Sequence, residues 1–265
     1  MFGRELVLRA KRFLPAVECF RDSTRVAEYI AEAANITLNG ADVSQWSNTV
    51  SGSHHLVQAT AAKQPLWAAS DVAFRDRGSV QFDGTDEILE TADDSFNGVL
   101  EVNDRPSMLG VLRWPTAGAP AGSKGRAVWW GEANGTVSMY FIHYSDNNIY
   151  CDYRYEAGGA DATTSKTYTP DTLAHLFELH AYSTGHVAAR DGVETVSVNT
   201  PGVSSDSTDS LIATPQILSI GGEKAFMDDS AADCAVSELV LLKDATVANV
   251  ATYRGRRIAP LYGLL

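Results

Sequence analysis

Thirty-three carboxylates and six histidines are spread along a chain of 265 residues, and a few are spaced closely enough to raise the question of chemistry. One such stretch is FDGTDEILET, residues 82–91, where Asp83, Asp86, Glu87 and Glu90 follow an aromatic. A glycosidase needs two carboxyls flanking one bond. Asp86 and Glu87 are neighbours, so in a strand they point to opposite faces and cannot form that pair. Asp83-Gly84 is a strong turn dipeptide. Val80 and Phe82 before it and Ile88 after it suit strands, so the spacing predicts a turn between two strands rather than an acid pair.

The other reactive residues do not assemble into a motif. His54, His55, His143, His175, His180 and His186 form no HExxH. His175 and His180 lie five apart on an apparent strand and face opposite sides. No GxSxG elbow occurs. GGEK lacks the phosphate-loop spacing, and GAPAGSKGR, which carries Lys124, reads as a surface loop. Cys19, Cys151 and Cys234 are odd in number and widely spaced, which suits free thiols and neither a disulfide framework nor a zinc site. Asp228, Asp229 and Asp233 in MDDSAAD offer hard oxygens of the kind calcium takes, with solvated loop acids as the alternative. The residues thus predict no enzyme and no cofactor beyond that calcium option.

Aromatic side chains are the remaining candidates. RAVWWGE places Trp129 and Trp130 on opposite faces of a strand. One is expected in the core. The other could stand on an outer or concave face, where a ring stacks on a sugar, and Trp114, Tyr140, Tyr150 and Tyr155 are similar in kind. Core or protein contact is the competing role, since Trp and Tyr serve both.

The elements that must position these groups read as strands. VSMYFIHYSDNNIYCDYRYEAGG alternates through Val137, Met139 and Phe141, then through Ile149, Cys151, Tyr153 and Tyr155, around turn residues. LAHLFELHAYS repeats the pattern through Leu173, Phe177, Leu179 and Ala181. HVAARDGVETVSV is a hairpin on Asp191-Gly192, and QILSIGG and AVSELVLLKD add two strands. Many short strands with regular turn signals predict a sandwich or barrel with Phe82, Phe141, Phe177 and Leu239 inside. Residues 23–36, STRVAEYIAEAANI, place Val26, Tyr29, Ile30 and Ala33 at helical spacing and predict a short helix. A second short helix is expected after an Asp244 cap, with Val247, Val250 and Ala251 on one face.

Charge is uneven. Residues 1–25 carry six basic and three acidic residues, net +3, which leaves −15 on the rest of a chain whose total is −12. Such an acidic body repels nucleic acid and anionic membranes. The first residues have charges scattered among apolar ones rather than the apolar core of a signal peptide, and no run approaches a membrane span. A basic arm with apolar anchors suggests an attachment segment, with Phe2, Arg4, Arg9, Lys11, Arg12 and Phe13 as its contact residues. The predicted division is residues 1–39 as arm and short helix and residues 40–265 as the main domain.

The order of Trp46, Gln58, Pro65 and Phe82-Asp83-Gly84, followed far downstream by Gly221-Gly222, Glu238-Leu239 and Tyr253, resembles the concanavalin A-like lectin/glucanase superfamily. Within it the pattern is similar to the laminin-G-like jelly-roll modules of phage and bacterial proteins. The resemblance spans about residues 40–263 and implies an all-β fold, two antiparallel sheets packed as a jelly-roll sandwich, with the arm and a short C-terminal helix outside it. Members bind sugars on the concave sheet or at rim loops, some hold calcium, and some are glycoside hydrolases with Glu-x-Asp-x-x-Glu on one strand. That triplet does not occur here. By analogy the first reading is a non-enzymatic structural protein, a phage virion component such as a capsid decoration or tail-associated protein. It would be made in the host cytoplasm, bound to other virion proteins through the arm, and able to form homo-oligomers. The alternative is a glycan-binding module for surface recognition, and the third is an atypical glycoside hydrolase.

Overall fold

The computed structural model describes residues 20, 24–92, 95–99, 104, 106–114, 125–132, 138–143, 148–157, 160–169, 171–182, 185–197, 216–222, 231–244 and 246–264. Of these, the side chains of residues 132, 152–157, 160–166, 181, 182, 185, 186, 194–197 and 247 lie outside the description. The attachment candidates Phe2, Arg4, Arg9, Lys11, Arg12 and Phe13 fall outside the described residues, as do Asp228 and Asp229 and the side chain of Tyr155.

The strands are β1 (Arg25–Ile30), β2 (Ile36–Asn39), β3 (Asp42–Trp46), β4 (Leu56–Val57), β5 (Leu66–Asp71), β6 (Arg77–Asp83), β7 (Leu89–Glu90), β8 (Ser107–Arg113) and β9 (Gly125–Glu132). They continue with β10 (Ser138–His143), β11 (Ile149–Ala157), β12 (Ala160–Tyr168), β13 (His175–Tyr182), β14 (Gly185–Arg190), β15 (Val193–Ser197), β16 (Gln216–Ile220) and β17 (Asp233–Leu242). Every pairing among them is antiparallel. The ladder runs β15–β14–β13–β8–β17, and the other edge of β17 takes β6 and β1 end to end, with β5 beyond β6. A second run, β12–β11–β10–β9–β16–β7–β4–β3–β2, joins the first at a corner where Asp42 of β3 pairs with Leu66 of β5.

The ladder folds into two layers because each run has one apolar face. Phe82, Phe177, Cys234 and Leu239 from the first run meet Trp46, Trp130, Phe141 and Leu218 from the second in one core. Phe82, Phe141, Phe177 and Leu239 are there as the sequence predicted, and Met139, Ile149 and Cys151 line the same interior. The fold is an all-β jelly-roll sandwich. Asp191 and Gly192 both have positive φ, 51° and 75°, the two-residue turn expected between β14 and β15.

Three expectations are corrected. Residues 23–36 hold no helix among those described. Arg25–Ile30 is β1, paired from Arg25↔Leu242 to Ile30↔Glu238, and Ala33–Asn35 is one 3-10 turn. Val26, Ala27, Glu28 and Tyr29 are all buried, so both faces of the strand are covered, and that double burial mimics a helical stripe. Pairing with β17 overrides the helix propensity of Ala and Glu. The sandwich therefore includes residues 25–39, which had been assigned to the arm. Leu173 is 63% exposed because it precedes β13 rather than lying within it.

The C-terminal segment begins not at Asp244 but at Thr246, whose hydroxyl accepts from the Asn249 amide at 3.2 Å. Helix α1 (Val247–Tyr253) runs into a π-turn at Arg254–Ile258 and then α2 (Ala259–Tyr262). Val250, Tyr253, Ile258 and Tyr262 cover the outer face of the first run against Leu109, Val111, Leu176, Val240 and Leu242, while Ala251 is exposed. Phe20 joins this layer, its ring 5.3 Å from that of Tyr253.

Candidate ligand pocket at the Phe82–Glu87 turn

β5, β6, β17 and β8 lie side by side and place a row of residues on their outer face. Leu66 opposes Gln81, Gln81 opposes Ala235, and Ala235 opposes Arg113. One step along, Asp83 opposes Asp233. Side chains alternate across a strand, so Phe82 and Cys234, between these positions, point into the core. Ala235 is the small member of the row. Over it opens a pocket of about 360 Å³ whose walls are Leu66, Gln81 and Arg113 and whose rim carries Asp83, Asp233 and Glu87.

The rim is built by the FDG turn. The Asp83 carboxylate accepts from the Thr85 amide at 2.8 Å, and the Asp83 amide donates to Glu87 Oε2 at 2.8 Å. Gly84 has φ +76°, and a Cβ there would lie 2.8 Å from the Asp233 amide nitrogen, so the turn closes against β17 only with glycine. The wall is held from behind. Asp71 accepts from the Ser79 hydroxyl at 2.9 Å, from Gln81 Nε2 at 3.1 Å and from Arg113 Nη2 at 3.3 Å. Burial alone would raise the Asp71 carboxyl, but the Ala73 amide, Ser79 and Arg113 outweigh it and hold it below the ordinary carboxylate range. Glu87 goes the other way. Burial pushes it up to about 7, against its bond from the Asp83 amide and with help from the negative charges of Asp83, Asp42 and Asp86.

The other buried polar clusters are structural in their contacts. Glu238 receives Arg257 at 2.6 and 3.1 Å, Tyr262 at 3.0 Å, and Tyr253. Glu178 receives Arg254 at 2.7 and 2.8 Å and contacts His180 at 3.1 Å. These carboxylates hold the C-terminal segment to the sheet. His175 lies between Asp171 and Asp191 at the turn of the β14–β15 hairpin, and its bonds to those carboxylates raise its pKa against the opposing effect of burial.

Trp129 and Trp130 do lie on opposite faces, but both are buried, at 1% and 0% exposed, so the expectation of an open stacking platform is corrected. Trp130 is in the main core. Trp129 forms a satellite cluster with Tyr140, Ile142 and Ile217, against which Tyr150 is partly buried. A ring covered on both sides has no face for a sugar. Trp114 is in the core as well. Of the calcium candidates only Asp233 is described, and it sits on the pocket rim. Among the described residues no group of three or more His, Cys, Asp or Glu is arranged to hold a metal ion. Cys151 and Cys234 are buried free thiols. No described helix is long and apolar enough to cross a membrane. Gln81 and Arg113 were not singled out from sequence, and Glu87 was weighed there only as half of an acid pair with Asp86. Gln81 and Arg113 are placed by pairing with Ala235, far away in the chain, and that pairing is not written locally.

No family model matches the chain, and no curated protein matches it in sequence. Solved structures do match in fold. The sialidase of Trypanosoma rangeli in complex with 2,3-difluorosialic acid has a TM-score of 0.54 at 10% identity over 88% of this chain and 33% of its own. Domain 4 of a GH43 extracellular arabinanase from Geobacillus stearothermophilus, in complex with arabinotriose, has a TM-score of 0.56 at 11% identity over 87% and 98%. The botulinum neurotoxin serotype D binding domain has 0.56 at 6% over 91% and 52%. The chain thus spans about a third of the length of the sialidase it matches. The likeness is one of fold, the concanavalin A-like sandwich that the motif order implied. The virion assignment finds no support in these structures.

Proposed function

We propose that the chain is a non-enzymatic binding module that recognises a carbohydrate. The observation that carries this reading is the cross-strand row Leu66–Gln81–Ala235–Arg113. Four strands fix hydrogen-bonding side chains around a pocket of about 360 Å³ beside an exposed apolar wall. Sugars need that mixture, polar partners for hydroxyls and an apolar contact for their C–H faces. The buried Glu178 and Glu238 are engaged by arginines, and Asp71 by Ser79, Gln81 and Arg113, so none of the three stands ready as a general acid or base. The complexes of the structural neighbours supply first probes, arabinotriose and sialic acid. Calorimetric titration of a panel containing both should show binding, and reducing-sugar assays should show no release above buffer. Release that is lost on substituting one carboxylate would replace this reading with a hydrolase.

A second reading, an assembly component such as a virion protein held through its first residues, is favoured by the +3 segment on a −15 remainder. Loss of assembly on deletion of residues 1–19, with an unchanged melting temperature, would support it.

A further inference from the structure

The geometry points to the pocket between the Phe82–Glu87 turn and the start of β17 as the sugar site, and to a neutral saccharide as its ligand, with carboxylated sugars excluded. This inference rests on the binding-module reading and specifies its site and selectivity. Asp83 and Asp233 are directly opposed cross-strand partners, an arrangement that destabilises a sheet. Glu87 joins them on the same rim. Asp83 and Glu87 each accept one backbone amide within the turn, and a carboxylate has further acceptor sites that the hydroxyl protons of a polyol can use. Arg113 supplies the cation of the site, and Asp71 already engages it at 3.3 Å. A ligand therefore meets a surplus of negative charge in a partly desolvated recess, where repulsion of a carboxylate is strong. Gln81, held by Asp71 and Ser79, sits between Leu66 and Ala235 as the neutral polar contact.

The charge state of the rim changes near neutrality. The groups facing Glu87 are Asp83 and Asp86 on its own turn, Asp42 on β3, Asp233 and the buried Cys234 thiol on β17, and Arg113 across the pocket. Burial first, and then the charges of Asp83, Asp42 and Asp86, keep Glu87 protonated into the neutral range. Below that point the rim loses one negative charge while a sialic or uronic acid keeps its own. Discrimination against acidic sugars must therefore weaken as the pH falls, and binding of neutral sugars must change little, since a protonated carboxyl still offers one donor and one acceptor.

The test is a glycan array probed with the full chain, followed by calorimetry with matched pairs, lactose against sialyllactose and galactose oligomers against galacturonic acid oligomers. It is run at about pH 8 and about pH 5.5, on either side of the Glu87 transition. Neutral members should bind at least about tenfold more tightly than their acidic partners at the higher pH, with the ratio shrinking at the lower one, as expected for one unit of charge at close range. Gln81→Ala, assayed well below its own melting temperature, should weaken neutral binding about tenfold. Glu87→Gln should abolish the pH dependence of the ratio between neutral and acidic partners. Tighter binding of acidic sugars, or neutral binding indifferent to Gln81→Ala, overturns the site and selectivity while leaving a carbohydrate-binding module standing. No binding of any glycan overturns both.

Discussion

Glu87 titrates where few glutamates do, and the cause fixes the direction of its effect. Burial raises it to about 7, against an ordinary value of 4.5. In the unfolded chain it releases its proton near the ordinary value, so between these limits the folded state binds more protons. Stability therefore falls as pH rises through that window. Glu87→Gln removes the cost. The variant should melt at a higher temperature than the parent above pH 7, with the gap narrowing as pH falls towards 4.5. After solvent screening of a half-exposed group, about 1 kcal/mol is expected. Melting curves at several pH values check this, and a constant gap would show that burial does not set the Glu87 proton. Gly221 is the other residue at this scale. It has φ +87°, and a Cβ would come within 2.2 Å of the Phe82 ring and 2.7 Å of the Glu87 carbonyl oxygen. Gly221→Ala should cost about 2–4 kcal/mol through strain and overpacking, and should loosen the turn that forms the rim. Denaturant unfolding measures the cost.

Strand β17 shows how one element serves two sides of the sandwich. Cys234 and Val236 point into the core, and a register shift between Val236 and Glu238 then changes the phase, so that Leu239 faces inward and Glu238 outward. Without that bulge Glu238 would be driven into the apolar core. Ser237, at the bulge, donates to the Gly78 carbonyl at 2.7 Å and lies 3.2 Å from the Tyr262 hydroxyl. The re-aimed Glu238 meets Arg257, and Glu178 meets Arg254. Replacing Glu238 by Ala leaves Arg257, 7% exposed in its side chain, without its partner. We expect a loss of about 3–5 kcal/mol, seen as a drop in melting temperature of about 10 °C or more. A shift of only a few degrees would mean that water reaches the arginine. The apolar alternation of these strands was legible in the sequence, as were the Asp191-Gly192 hairpin and the FDG turn, because each is encoded within a few residues. The bulge, the strand at Arg25–Ile30 and the partners of Arg254 and Arg257 were not, since each is decided by a segment distant in sequence. The same holds for the pocket, whose row joins residues 66, 81, 113 and 235.

At the scale of the whole molecule the chain has two sheets and a partial third layer, and the third carries the last prediction. The outer face of the first run offers Leu109, Val111, Leu176, Val240 and Leu242 along with two buried carboxylates, which neither water nor the main core can satisfy. The segment from Thr246 covers the apolar part with Val250, Tyr253, Ile258 and Tyr262 and neutralises the carboxylates with Arg254 and Arg257. The π-turn brings those two arginines, three residues apart, to neighbouring acceptors on β13 and β17. Phe20 closes the same layer from the other end of the chain. Truncation after Asp244 should therefore expose an apolar patch with unpaired buried charge, and the product should bind a hydrophobic dye and aggregate rather than remain a folded sandwich. Phe20→Ala is the milder version, costing about 3 kcal/mol without exposing the carboxylates. Should the truncated chain stay monomeric with an unchanged melting temperature, the two sheets would be self-sufficient and the C-terminal segment an accessory. The buried pairing of Glu178 with Arg254 and of Glu238 with Arg257 argues that it is instead part of the fold.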